Sequence, residues 1–285
     1  MENLEKKIQL LLKLYQSKNL VKAELFNKKL IDEHPKIVFL YNILGLILSA
    51  QNKLEESIKF FTKGIKIDPK NATIYNNLGL VCKSKKDYVK SMYYFKKSIE
   101  LNKNAPETYN NLGNLQNLLG SYEDAIETYK KAIKVNQKIY ISYYNLGVVY
   151  KSLGRFDKAK KYFNQSIKIN PHFYAAHRSM SQLIRYTKND KHLKLLRKIY
   201  KDSGYNKDGK TELVFALGKA LEDIKDYKNA FYYYKEANNI HKKNIKDFLK
   251  VEKGEFNKIK SVFNLNYFNK NKNLGYDDTT PIFIL

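Results

Sequence analysis

Four glycines, Gly45, Gly79, Gly113 and Gly147, stand 34 residues apart. A spacing this regular confines the fold to architectures in which one unit is laid down repeatedly against its own copies. The same interval carries Tyr41, Tyr75, Tyr109 and Tyr143 four residues before each glycine, and Leu44, Leu78, Leu112 and Leu146 one before. Twelve residues after each glycine come Ser57, Ser91, Ala125 and Ala159, then aromatics at Phe61, Phe95, Tyr129 and Phe163, then Gly64, Ser98, Ala132 and Ser166. Counted from the first residue of a unit, positions 4, 7, 8 and 11 form one helical stripe, and positions 20, 24 and 27 form a second. Each unit therefore reads as two helices, with small residues at positions 8 and 20 admitting a close approach and aromatics filling the wedge beside it. Asp68-Pro69 and Asn170-Pro171 end second helices, because proline cannot continue the hydrogen-bond ladder. Gly120 and Gly154 mark the tight turn between the two helices.

On these residues the chain resembles the tetratricopeptide repeat family. The resemblance implies an all-α, right-handed superhelical solenoid of about seven helix pairs. Matching units fall at 38–71, 72–105, 106–139 and 140–173. A weaker unit at 4–37 keeps Ala23 and Pro35 in phase but has Leu11 in place of the glycine, and another at 211–244 keeps Leu217, Gly218, Ala230, Tyr234 and Ala237. Between them, 174–210 reads as a divergent helix pair. The stripe Ile245, Phe248, Leu249, Phe256, Ile259 and Phe263 predicts a capping helix over 245–264, and 265–285 reads as a linker and an orphan strand, Pro281–Leu285. Such a strand needs a sheet from a missing domain and invites self-association.

Composition narrows the function classes. One cysteine among 285 residues removes any disulfide framework or Cys-based zinc site. The acidic start and the short apolar runs do not resemble a secretory signal or a membrane span, so a cytoplasmic chain with no membrane partner is expected. The net charge of +25 is spread evenly, +15 over residues 1–173 and +10 over the rest, and is almost all lysine. With no cluster and only four arginines, the sequence predicts no specific nucleic-acid partner.

The order of a repeat array, a divergent pair, the segment Phe215–Asp223 and a terminal Asp278–Leu285 is similar to bacterial tetratricopeptide-repeat sulfotransferases. In that family the strand leads into the loop that binds the phosphosulfate donor. The chain stops before that loop, so the resemblance implies a substrate-recruiting part of such an enzyme and places no catalytic or cofactor residue here.

Chemistry-bearing residues otherwise read as structural. Cys82 sits inside an apolar stripe, and His34, His172, His177, His192 and His241 form no i, i+3 or i, i+4 pair, so no cofactor or metal is expected. An asparagine series stands apart. Positions 5, 6, 9 and 12 of the first helices, expected on the concave side, hold Asn42, Asn76, Asn77, Asn110, Asn111, Asn114, Asn117 and Asn145. An amide offers a donor and an acceptor together, matching one peptide unit of an extended chain. The arrangement is similar to the asparagine ladder of O-linked N-acetylglucosamine transferases. Lys83, Lys151, Arg178 and Arg185 fall on the same expected face and favour an acidic peptide. The sequence thus predicts a non-catalytic scaffold that holds an extended polypeptide.

Overall fold

The computed structural model describes residues 2–202 and 210–244, together with Ser261. The chain divides into two units, Met1–Ile184 and Arg185–Leu285. Among its described residues the first holds eleven helices: α1 Glu2–Gln16, α2 Leu20–Glu33, α3 Val38–Ala50, α4 Leu54–Ile67, α5 Ala72–Ser84, α6 Tyr88–Leu101, α7 Pro106–Leu118, α8 Tyr122–Val135, α9 Tyr140–Ser152, α10 Phe156–Ile169 and α11 Tyr174–Ser181. The second holds α12 Lys191–Asp202, α13 Lys210–Asp223 and α14 Tyr227–Asn244 among its described residues.

Within the first unit, α1 to α10 pair as consecutive hairpins, and each second helix also packs against the first helix of the next hairpin. The first helices α3, α5, α7 and α9 additionally touch one another in succession. They therefore form the closely spaced inner side of the stack, and the second helices form its outer side.

The 34-residue glycine is explained by a ring. A Cβ added at Gly45 would lie 2.5 Å from Phe61, at Gly79 2.5 Å from Phe95, at Gly113 2.7 Å from Tyr129 and at Gly147 2.7 Å from Phe163. The aromatic of position 24 thus lies on the bare backbone of position 8 in its own hairpin, where no side chain fits. Beside it, the Ser57 hydroxyl donates to the Gly45 carbonyl and the Ser91 hydroxyl to the Gly79 carbonyl, both at 2.7 Å, so the small polar residue at position 20 enters the core satisfied. The first hairpin reverses the sizes: Leu11 takes the glycine position and Asn27 the aromatic one, and both are fully buried. Volume is conserved by exchanging large and small across the contact.

Both kinds of turn repeat as well. Position 15 adopts positive φ at Lys18, Asn52, Lys86, Gly120 and Gly154, with values of 58°, 61°, 62°, 76° and 69°. The next residue donates to the carbonyl five residues back, as in Asp87 N to Cys82 O at 2.9 Å, which closes the helix end in a Schellman motif. Between hairpins, Asp68, Asn102, Asn136 and Asn170 each accept through Oδ1 from the N–H two residues on, at 2.9–3.1 Å.

The structure corrects the expected fold class at one point. The described residues are all-helical, with no strand or sheet among them, so the orphan terminal strand is no part of this architecture. The segment expected to form it, Pro281–Leu285, and the expected capping helix, apart from Ser261, lie outside the described residues. In 174–210, α11 stops after eight residues in the first unit, while α12 belongs to the second.

Candidate functional site

Helix periodicity alone assigns positions 5 and 6 of the first helices to solvent. Stacking brings them together across each repeat boundary. Asn77 Nδ2 donates to Asn42 Oδ1 at 2.9 Å, Asn111 Nδ2 to Asn76 Oδ1 at 2.9 Å, and Asn145 Nδ2 to Asn110 Oδ1 at 3.0 Å. Position 6 of one repeat thus donates to position 5 of the repeat before it at all three boundaries of the 38–173 array. The ladder ends where the pattern does: the positions flanking it are Ile8 and Ile43 at one end, and Tyr144, stacked edge-on against Phe173 at 5.0 Å, at the other.

Within the ladder Asn76 Nδ2 also donates to Asn77 Oδ1 at 3.5 Å, and two other amides have further partners. Asn110 Oδ1 also accepts from the buried Ser142 hydroxyl at 3.2 Å, and Asn114 Oδ1 accepts from Asn145 Nδ2 at 2.9 Å and from the Tyr129 hydroxyl at 2.6 Å. Asn77 and Asn110 are buried; Asn42, Asn76, Asn111, Asn114, Asn117 and Asn145 are half-buried. The bonds leave over Asn42 Nδ2, Asn111 Oδ1, Asn114 Nδ2 and Asn145 Oδ1 on side chains with a face to solvent, and Asn110 Nδ2 on a buried one. The Asn117 amide stands at position 12 without a hydrogen bond among the described residues.

The four cations are placed differently. Lys83 and Lys151 are half-buried on α5 and α9, and Lys151 Nζ donates to Gln182 Oε1 at the end of α11. Arg178 is half-buried on α11, also in the first unit. Arg185 is exposed and begins the second unit, beyond the end of α11. Sequence phase extends 34-residue counting through a helix that stops early.

Among the described residues, no cluster of His, Cys, Asp or Glu accompanies this face. Burial pushes the Cys82 thiol above its ordinary range and the His177 imidazole below its own, and His177 Nε2 lies 2.9 Å from the Pro171 carbonyl. That contact repeats one in the second hairpin, where the Tyr41 hydroxyl donates to the Pro35 carbonyl at 2.9 Å. His177 therefore does the work of the position-4 tyrosine. Among the described residues no group of His, Cys, Asp or Glu is disposed to hold a metal, and no helix is long and apolar enough to cross a membrane.

Comparison with known proteins agrees with the geometry. Models of the tetratricopeptide repeat match residues 72–104, 94–127 and 140–173, and a further repeat model of the same kind matches 45–86 and 114–154. No curated protein matches by sequence. Among solved structures, a tetratricopeptide repeat protein from Parabacteroides merdae superposes with a TM-score of 0.58 at 22% identity, over 88% of this chain and 98% of its own. Pseudomonas aeruginosa pilF does so with 0.56 at 19% identity, over 78% and 97%. A thermophilic protein of Thermus thermophilus follows with 0.53 at 15%, over 63% and 97%. These likenesses concern the fold. None of the matching models is that of a sulfotransferase, and the second segment behind that resemblance, Asp278–Leu285, lies outside the described residues.

Proposed function

We propose, from the premise that residues 45–173 are tetratricopeptide repeats, that the chain is a protein-interaction scaffold holding an extended polypeptide of acidic character along its inner face. The observation that carries this reading is the set of amide atoms left over by the ladder, at Asn42 Nδ2, Asn111 Oδ1 and Asn145 Oδ1. The bonded halves fix the amides in orientation, so their free atoms are pre-organised, which lowers the ordering cost of binding. Donors and acceptors left over in three of the four repeats suit backbone recognition, because main-chain amides recur whatever the side chains are. Lys83 and Lys151 stand on two helices of the ladder, α5 and α9, and Arg178 on the next first helix, α11, and they select for acidic residues.

The probe is a fluorescein-labelled peptide of about ten residues rich in Asp and Glu, followed by anisotropy against the full chain, with a neutral peptide of equal length as comparison. Saturable binding of the acidic peptide, weakened several-fold by Asn117→Ala and by Lys83→Glu, supports the groove. Equal binding of the neutral peptide removes the acidic preference. No binding of either peptide, or affinity indifferent to both substitutions, overturns the reading.

A further inference from the structure

The boundaries between hairpins form an edge of the first unit separate from the inner face. There the second helices end, α4, α6, α8 and α10 in an Asx turn and α2 at His34 in the equivalent place; equivalent positions of stacked repeats line up along it. Position 29 holds Lys66, Lys134 and Lys168, and position 33 holds Lys36, Lys70 and Lys138, all exposed. None of the six belongs to an ion pair of the described residues. The acids along the edge are few: Glu33 is bound by Lys7 at 2.7 Å and Glu100 by Lys97 at 2.9 Å, and the Asp68 carboxylate accepts from the Lys70 N–H and from Asn71 Nδ2, which leaves Asp32 and Glu107.

Helix electrostatics explain only part of this row. Lys66, Lys134 and Lys168 stand in last turns, where a cation complements the helix dipole. Lys36, Lys70 and Lys138 lie beyond the helix ends, where that interaction has decayed. Apolar side chains accompany them in the open: Ile67 is 40% exposed, Val135 38% and Phe39 40%. In the repeats 38–71 and 106–139 the same order recurs, with a lysine, an exposed aliphatic residue, an Asx turn and a second lysine.

We infer that this edge docks peripherally against an anionic lipid surface. Ammonium groups on flexible stems reach lipid phosphates and carboxylates, while Ile67, Val135 and Phe39 sit at the depth of the headgroup and acyl boundary. Nucleic acid fits the edge less well, because no arginine lies along it: the single arginine of residues 1–173, Arg155, is paired with Glu123 at 3.3 Å. Peripheral docking requires no spanning helix.

The test uses the full chain and sedimentation with vesicles of phosphatidylcholine, alone or with about 30% phosphatidylserine. The expected result is binding to the anionic vesicles only, lost with added salt, and lowered at least about tenfold by the combination Lys66→Glu, Lys70→Glu, Lys134→Glu and Lys138→Glu. A control variant, Lys59→Glu, Lys96→Glu, Lys131→Glu and Lys161→Glu, changes the net charge equally on the outer faces of the second helices and should keep most of the binding. Ile67→Asn with Val135→Asn should weaken binding without altering net charge. Helical melting monitored by circular dichroism confirms that each variant is folded. Equal loss in both lysine variants, failure to bind anionic vesicles, or stronger binding to a double-stranded DNA fragment than to them, overturns the inference.

Discussion

The hydroxyl of Tyr129 donates to Oδ1 of Asn114 at 2.6 Å, and the two residues depart together from what neighbouring repeats hold. Where the repeat 106–139 has Asn114 and Tyr129, the repeat 38–71 has Leu46 and Phe61, and the repeat 72–105 has Leu80 and Phe95. Tyr129 is fully buried, and burial drives its hydroxyl far above the ordinary tyrosine range, so it stays a donor throughout the accessible pH range. Asn114→Leu alone strands that donor and should cost about 1–3 kcal/mol. Combined with Tyr129→Phe, it restores the arrangement of the neighbours and should recover most of the loss. Urea unfolding of the two single variants and the double variant measures the coupling, and strict additivity would show that the pair does not act as a unit.

Gly79 tests the ring-on-backbone contact. A methyl group there meets Phe95 at 2.5 Å, whereas a methyl group at Gly120 meets nothing within 4 Å. Gly79→Ala should therefore cost about 1–3 kcal/mol through overpacking. Adding Phe95→Leu should return part of it, by the large-for-small exchange that Leu11 and Asn27 already display. Gly120→Ala should cost about 1 kcal/mol for its positive φ alone and gain nothing from a second substitution. Thermal melts of these variants separate steric from conformational cost.

Lys86 holds the left-handed position that Gly120 and Gly154 hold elsewhere, at a φ of 62°. Its side chain is exposed and makes no ion pair among the described residues. Lys86→Gly should raise stability by about 0.5–1 kcal/mol, because relief of the left-handed strain outweighs the added freedom of the unfolded chain. A lower melting temperature would mean that the side chain contributes more than its exposure indicates.

The hairpin plan was legible because its cause is local and recurs: a ring needs a glycine, and both lie in one unit at fixed separation. Other features were not legible because their partners lie one repeat away or in an unusual residue type. Asn77 and Asn42 meet only when units stack, and a helical wheel of either helix assigns both to solvent. Asn52 occupies the turn conformation that glycine advertises at Gly120 and Gly154 and is a residue type that tolerates it, but Lys18 and Lys86 occupy it too and nothing in their chemistry announces it. Arg185 was assigned by phase to the face of Lys151, but α11 ends at Ser181 and phase carries no meaning beyond a helix that stops.

Glu24 should make the N-terminal end of the array sensitive to acid. Burial raises its carboxyl pKa, but hydrogen bonds from Lys28 at 2.6 Å, from Lys53 at 2.8 Å and from Gln51 outweigh that and hold it at about 2. Because the folded value lies below the ordinary 4.5, the stabilisation is complete above pH 4.5 and lost as the pH falls towards 2. Both lysines are partly exposed, which limits the contribution to about 1–2 kcal/mol. Glu24→Gln should lower stability at pH 7 and flatten its decline between pH 4.5 and 2, as read from urea midpoints. A parallel decline in the variant would assign the acid sensitivity to other carboxylates.

The asparagine ladder binds repeats to one another as well as presenting atoms to a ligand, and the two roles separate by position. Asn110 is buried, and its oxygen accepts from both Asn145 and Ser142; Asn145 Nδ2 keeps Asn114 Oδ1, so Asn110→Ala strands the buried Ser142 hydroxyl and should cost about 1–3 kcal/mol. Asn76→Ala and Asn111→Ala break one shared bond, to which Asn76→Ala adds only the long 3.5 Å contact with Asn77, so together they should cost little more than Asn76→Ala alone. The triple variant should therefore melt several degrees lower. Asn117→Ala, which breaks no bond, should melt within about 0.5 kcal/mol of the parent and report on peptide binding alone. If the triple variant melts like the parent, the rungs contribute nothing to stacking, and the cohesion of the array rests on its apolar contacts.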